Sequence, residues 1–124
     1  MKNVLIVEDS KAIRSLIRIA LEEAGDMITA EASNGFEALK MLPTRKFDLI
    51  ITDINMPDIN GLELIGFVKA NPSYQEIPLI IVSTEKSDED KKRGMALGAM
   101  GYIVKPFRKE ELVTVVKKAL GGNK

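Results

Sequence analysis

The chain has 124 residues, enough for one domain with a single core, and its 45% hydrophobic and 29% charged content is typical of a soluble globular protein. Because 18 Lys+Arg balance 18 Asp+Glu, no net charge draws the chain towards nucleic acid or an acidic membrane. The absence of cysteine and histidine excludes disulfides, thiolate catalysis, zinc–cysteine sites and a histidine general base.

The sequence has no membrane or export signal. No apolar run approaches the roughly 20 residues that span a bilayer. The N-terminal segment turns acidic at Glu8 and Asp9 after four apolar residues, so it is not a signal peptide. We therefore expect a cytoplasmic protein that contacts neither membrane nor DNA.

The first elements alternate between strand and helix patterns. Residues 4–7 form a short β-branched run that predicts a strand buried on both faces. From Ser10 the pattern becomes helical and continues to Gly25, and residues 27–32 predict a second, weaker strand. The apolar side of this first helix is made of Ile13, Leu16, Ile17, Ala20, Leu21 and Ala24.

The middle of the chain contains its most informative stretch. A short helix that carries Phe36 begins at Asn34 and ends at Pro43. The run Leu-Ile-Ile at 49–51 then predicts a central buried strand, which Asp53 ends, and turn-forming residues fill most of the next positions. Another helix is predicted over 60–71.

The last third repeats the same rhythm. Residues 77–82 predict a fourth strand, and Ser87 with Asp90 predicts the start of a helix with few large apolar residues. Residues 101–104 predict a fifth strand, and a final helix carries the apolar residues of 112–120. Five strands alternating with five helices predict an α/β fold with a parallel sheet covered on both faces, in one domain over 1–124.

The carboxyl ends of all strands in a parallel sheet lie along one edge, where open α/β sheets bind their ligands. Clustered carboxylates repel one another unless a cation lies among them, and a site of carboxylates, carbonyls and water suits Mg²⁺. Aspartate can accept a phosphoryl group, and the neighbouring donors and cations would neutralise its oxygens. The groups collected at this edge are Glu8, Asp9, Asp53, Ser83, Thr84 and Lys105.

These residues give the chain a clear resemblance. It is similar to the receiver domains of two-component response regulators, and in particular to the single-domain regulators of chemotaxis. The similarity runs from Val4 to about Leu120. It rests on Val-Glu-Asp-Ser at 7–10, Asp-Ile-Asn-Met-Pro at 53–57, Asp-Ile-Asn-Gly-Leu-Glu at 58–63, Val-Ser-Thr at 82–84 and Gly-Tyr-Ile-Val-Lys-Pro-Phe at 101–107.

The resemblance implies a flavodoxin-like (βα)5 sandwich with strand order 2-1-3-4-5, and it assigns roles to individual residues. Asp53 matches the phosphoacceptor, which acts with Ser83 and Lys105. Ser83, with Thr84 beside it, matches the switch hydroxyl, and Tyr102 matches the aromatic residue that changes rotamer on phosphorylation. The metal ligands implied for Mg²⁺ are Asp9, Asp53 and the backbone carbonyl of Asn55, with Glu8 in the adjacent acidic position.

Two departures from the family pattern are mild. Glu8 stands where Asp is frequent, and its longer side chain can also act through a water molecule. Ser83 stands where Thr is frequent, which keeps the hydroxyl but loosens its rotamer. The family also has a cis peptide bond at the position of Lys105-Pro106, which sequence alone does not reveal.

Each residue also has a purely structural interpretation. Asp9 fits a helix cap, Lys105 a surface lysine, and Ser83 with Thr84 ordinary strand-end hydroxyls, while Tyr102 fits the core or an exposed edge equally well. A single match of this kind is weak. All of them together at one sheet edge favour the phosphoacceptor site.

Other functional classes fit the residues less well. A phosphohydrolase of the haloacid-dehalogenase type requires a second Asp two residues after the nucleophile, and Asn55 cannot transfer a proton. A flavin site requires a hydroxyl-rich phosphate loop where Glu8 and Asp9 would repel phosphate, and no P-loop motif is present. The intact acidic pair, Asp53, Ser83 and Lys105 argue against a pure protein-binding module.

We therefore predict a free-standing receiver without an output domain. A sensor histidine kinase or a phosphotransfer protein donates the phosphoryl group, and the domain catalyses only its own phosphorylation and dephosphorylation. The output is a contact with a downstream target protein, for which the flagellar motor switch is a candidate. Chemotaxis is the favoured pathway and a phosphorelay intermediate the alternative. A monomer is expected, and dimerisation on phosphorylation stays open.

Overall fold

The computed structural model describes residues 1–84 and 88–121. It contains one sheet of five parallel strands in the order β2-β1-β3-β4-β5, which confirms the predicted fold class. The strands are β1 (Lys2–Val7), β2 (Met27–Ala32), β3 (Leu49–Thr52), β4 (Leu79–Ser83) and β5 (Gly101–Val104). The helices are α1 (Lys11–Ala24), α2 (Gly35–Met41), α3 (Gly61–Ala70), α4 (Asp88–Leu97) and α5 (Lys109–Ala119), and a 3₁₀ turn (Leu42–Thr44) follows α2.

The two faces of the sheet support two separate cores. Leu5, Val7 and Ile50 point into a core with α2 and α3, whereas Val4 and Ile6 point into a core with α1 and α5. Successive side chains of a strand alternate between faces, so a strand covered on both sides must be apolar throughout. This explains why β3 and β4 are buried along their whole length.

Several boundaries and exposures differ from the predictions. β1 begins two residues before the predicted start, because Lys2 and Asn3 already pair with β2. β4 begins at Leu79 instead of residue 77, since Ile77 is still in a turn, where its N–H donates to Tyr74. β4 also includes Ser83. The predicted cap at Ser87 lies outside the described residues.

Two apolar residues of the predicted helices lie at the surface. The side chains of Leu16 and Phe36 are both more than half exposed, although their helices otherwise pack as predicted. Helical periodicity indicates which side of a helix faces the core. How much of that side becomes covered depends on the neighbouring elements. In the described part of the chain, α1 is the longest helix at 14 residues, and none has the length and apolar character of a membrane span.

Two helices approach the sheet closely through glycine. The start of α3 is fixed by a capping box between Asn60 and Glu63, and Gly61 then lies so close to Asp53 that a Cβ atom would collide with the Asp53 carbonyl oxygen. In α4, a Cβ atom on Gly94 would collide with Cδ1 of Ile81 in β4. Backbone therefore packs where any other residue would place a side chain.

The contact at Gly61 leads to a first prediction. Gly61→Ala should lower the free energy of unfolding by about 1–3 kcal/mol, because the added methyl group must displace the backbone at Asp53. Gly66→Ala in the same helix is the matched control, because no atom lies within 4 Å of the Cβ position there. It should raise stability by about 0.5–1 kcal/mol through helix propensity. Urea unfolding of both variants measures the difference, and equal effects would refute the close packing at Asp53.

Candidate functional site

The backbone ladder of the sheet continues past the strand ends and aligns the residues that follow them. The N–H of Glu8 donates to Ala32 at 3.0 Å, that of Asp53 to Val7 at 3.1 Å, and that of Lys105 to Ser83 at 2.9 Å. The first residue after each of β1, β3 and β5 is therefore held in register with the adjacent strand. The predicted meeting of Glu8, Asp53 and Lys105 at one edge follows from this alignment.

Asp53 lies at the centre of the site and is only 7% exposed. Its Oδ1 accepts a hydrogen bond from the N–H of Ile54 at 2.6 Å and a longer one from Asn55 at 3.4 Å. Its Oδ2 accepts from Nζ of Lys105 at 3.1 Å. Both oxygens of the carboxylate are therefore oriented by donors, one by the backbone and the other by a cation.

Lys105 connects the outer strand to the acidic residues. Its Nζ donates to Oε1 of Glu8 at 2.6 Å as well as to Asp53, and its side chain is about 10% exposed. The peptide bond between Lys105 and Pro106 is cis, as in the family that the sequence resembles. Lys105 is therefore a buried member of the site, and the alternative of a surface lysine is excluded.

The buried charges change one another's pKa. Burial raises the pKa of Glu8, although the hydrogen bond from Lys105 acts in the opposite direction. Burial would lower the pKa of Lys105, but its hydrogen bonds to Glu8 and Asp53 outweigh this effect and raise the pKa. The ammonium group is thus held in its charged form by the two carboxylates.

Three carboxylates meet at this edge. Oxygens of Glu8, Asp9 and Asp53 lie within 4.8 Å of one another, with Asp9 exposed and the other two buried. Lys105 balances only one of these negative charges, so an excess of negative charge remains. Hard oxygen donors at such spacing fit Mg²⁺, which binds through one or two carboxylates and keeps several waters. A magnesium ion would be held by Asp9 and Asp53, with Glu8 beside it.

The remaining predicted residues surround this centre at different depths. Ser83 is fully buried at the end of β4, whereas Thr84 and Asn55 are exposed at the rim. Tyr102 is half-buried on β5 and pairs in register with Ile81. Ser83 follows Ile81 by two positions, so Ser83 and Tyr102 lie on the same face of the sheet.

Comparison with known proteins identifies the family. The family model of the response regulator receiver domain matches residues 4–117 of the chain. The chain belongs to this receiver family. The receiver is similar to the chemotaxis protein CheY of Pseudomonas aeruginosa, with 35% identity over 115 residues that cover 93% of each protein. It is also similar to the phosphate regulon transcriptional regulatory protein PhoB of that organism, with 38% identity over 96% of this chain and 52% of that protein.

Solved structures support the same assignment. The structure of the chemotaxis protein CheY4 of Vibrio cholerae matches with a TM-score of 0.89 and 38% identity, and covers 96% of this receiver and 98% of CheY4. The predicted family, strand order and general function are thereby confirmed: the protein is a phosphorylation-activated signalling switch of the CheY-like type. The roles of individual residues stay predictions.

Sequence reasoning missed one contact of this receiver. Arg14 lies outside the predicted apolar side of α1, and its Nη1 donates to the carbonyl oxygen of Glu8 at 2.8 Å. No local pattern in the sequence indicates this contact, because the side chain reaches back from the helix to the loop that precedes it.

Replacement of Lys105 tests the electrostatic balance of the site. Lys105→Met should lower the free energy of unfolding of the metal-free protein by about 3 kcal/mol, because Glu8 and Asp53 would lose their shared cation. Saturating Mg²⁺ should recover part of this loss, since the metal charge replaces the missing ammonium group.

Lys109→Met is the matched control. Lys109 forms an ion pair with Glu23 at 3.1 Å, and both side chains are more than half exposed. Loss of this pair should lower the free energy of unfolding by less than about 1 kcal/mol, with or without Mg²⁺. Thermal and urea unfolding measure both variants. Equal destabilisation of the two would contradict a structural role for the buried ammonium.

Proposed function

We propose that Asp53 accepts a phosphoryl group from a phosphohistidine of a sensor histidine kinase or phosphotransfer protein. The observation that carries this proposal is the environment of Asp53, whose carboxylate lies at a strand end between backbone donors, a buried ammonium and two further carboxylates. A carboxylate with only a structural role would not need to share its cation with a second buried acid.

The proposed step exchanges one bond to phosphorus for another. An oxygen of the Asp53 carboxylate attacks the phosphorus atom, the bond from phosphorus to the donor's imidazole nitrogen breaks, and that nitrogen leaves with the electron pair. Lys105 stabilises the negative charge on the transferred group, and the Ser83 hydroxyl donates to a second oxygen. Hydrolysis later breaks the bond between phosphorus and the Asp53 oxygen, which releases phosphate.

We further propose that the transfer requires Mg²⁺, held by Asp9, Asp53 and the Asn55 carbonyl, with Glu8 acting directly or through water. When bound, the metal ion supplies charge neutralisation for the phosphoryl oxygens. The proximity of the three carboxylates and their uncompensated negative charge support this assignment. The chain would thus promote only its own phosphorylation and dephosphorylation.

The signal must leave the site through a surface that a partner can contact. Ser83 and Tyr102 share a face of the sheet, and Gly94 of α4 packs on Ile81 of that same face. We propose that Ser83 moves towards the new phosphoryl oxygens, that Tyr102 turns into the space released, and that α4 repacks. The surface formed by α4, β5 and α5 would then bind the downstream target.

Chemotaxis is the pathway we propose, because CheY proteins match along nearly the whole of both chains. The flagellar motor switch is then the candidate target. A phosphorelay intermediate is the alternative. Three further expectations stay predictions: a receiver without an output domain, a monomer that phosphorylation could change, and a cytoplasmic location. An aspartyl phosphohydrolase is disfavoured, since exposed Asn55 follows the nucleophile where that class needs an acid.

The phosphoacceptor is tested by substitution. Asp53→Asn should abolish phosphorylation by acetyl phosphate with Mg²⁺, because an amide is not a nucleophile for phosphorus at neutral pH. Asp58→Asn is the matched control: Asp58 is exposed in the following loop with φ 67°, a conformation that Asn tolerates, so normal phosphorylation is expected. Intact-mass and peptide mass spectrometry locate the group. Normal uptake in Asp53→Asn, at another carboxylate, would overturn the assignment.

The switch is tested at Ser83. Ser83→Ala should still accept phosphate at Asp53 but transmit the change poorly, because no hydroxyl follows the new oxygens. Amide shifts on addition of beryllofluoride, a phosphoryl mimic, should spread over 84–106 in the wild type and shrink in Ser83→Ala. Ser73→Ala removes an exposed hydroxyl in the turn that precedes β4, away from the carboxyl ends of the strands, and should retain the wild-type response. A wild-type response confined to the Asp53 loop would refute this route.

A further inference from the structure

Arg14 of α1 joins three elements beside the acidic residues. Its side chain is only 15% exposed. Nη1 donates to the carbonyl oxygen of Glu8 at 2.8 Å, and Nε pairs with Oε1 of Glu31 in β2 at 3.1 Å. A planar guanidinium with several donors can hold both partners at once, which an ammonium group does less well.

Glu31 in turn holds Arg14 in place. Its second oxygen, Oε2, pairs with Nε of Arg18 at 3.1 Å, so the carboxylate lies between two arginines one helical turn apart. Arg18 also pairs with Glu22 at a longer 3.4 Å and does not contact Glu8 among the described contacts. Arg14 and Arg18 therefore both pair with Glu31 and carry the same charge. Of the two, only Arg14 donates to the peptide that joins Glu8 to Asp9.

That peptide sets the direction of Asp9. The N–H of Glu8 is fixed by Ala32, and the Glu8 carboxylate accepts from the N–H of Ser10 at 3.0 Å and from Lys105. Among the described residues, none donates a hydrogen bond to the exposed Asp9 carboxylate. Its aim towards Asp53 consequently depends on the orientation of its own backbone, which the bond from Arg14 to the Glu8 carbonyl restrains.

We infer that Arg14 is a positioning residue for the metal site, which it serves by fixing the Glu8–Asp9 peptide so that the Asp9 carboxylate faces Asp53. This inference rests on the proposed Mg²⁺ site. A positioning role and a simple charge effect predict opposite results. Loss of a nearby positive charge should tighten binding of a cation, whereas loss of the restraint on Asp9 should weaken it.

The experiment compares Arg14→Gln with Arg18→Gln by calorimetric titration with Mg²⁺ alone. Arg14→Gln should bind Mg²⁺ about tenfold more weakly than the wild type, the scale expected for a group that orients a ligand. Arg18→Gln removes the same charge and shares Glu31, yet it should bind within about twofold of the wild type, because the partly exposed Arg18 charge is screened by solvent. Arg14→Lys keeps the charge and should lie between Arg14→Gln and the wild type.

A second measurement needs no metal. In the metal-free protein, the backbone ¹⁵N resonance of Asp9 should move in Arg14→Gln and stay in place in Arg18→Gln, because it responds to the hydrogen bond on the preceding carbonyl. If Arg14→Gln does not fold, the same titration compares Arg14→Lys with Arg18→Lys. Only Arg14→Lys should then weaken Mg²⁺ binding.

Mg²⁺ binding by Arg14→Gln as tight as that of the wild type, or tighter, would overturn the inference. Failure of the wild type to bind Mg²⁺, or wild-type binding by Asp53→Asn, would instead refute the proposed site itself.

Discussion

The ammonium group of Lys105 lies between the carboxylates of Glu8 and Asp53, and through it the ends of β5, β1 and β3 are joined. Burial of two acids would be costly without this shared cation, because a buried charge needs a partner close by. The backbone hydrogen bond from the N–H of Lys105 to Ser83 holds this residue beside the end of β4. The register of the strand ends depends on this arrangement, and so do the proposed acceptor chemistry and the proposed metal site.

Much of the fold could be predicted because its pattern is local and repeated. Residues 49–51 of β3 and 79–82 of β4 are continuous apolar runs, as expected of strands covered on both faces, and the polar residues at the strand ends had to meet at one edge. Asp53, Glu8 and Lys105 were placed together for this reason alone. The strand order came from the resemblance, since alternation of strands and helices does not determine it.

The parts that could not be predicted depend on distances between elements. Whether Lys105 approaches Glu8 or Asp53 more closely is decided by side-chain depth, which spacing in the sequence does not encode. Arg14 was missed because its partner is a backbone carbonyl, and every residue offers one. Leu16 and Phe36 are apolar residues of predicted helices, but the neighbouring elements leave both exposed.

The contact between Gly94 and Ile81 restricts how the proposed output surface, formed by α4, β5 and α5, can change. Since a methyl group on Gly94 would collide with the buried side chain of Ile81, α4 approaches β4 closely at this point, and a closer approach would require the Ile81 side chain to move. Any rearrangement beneath it must therefore be accommodated by displacement away from the sheet or along it. The packing of interiors resists compression far more than separation. α4 can therefore move away from the sheet more easily than towards it. A partner that holds α4 in its present position would oppose the rearrangement without contacting the proposed phosphorylation site.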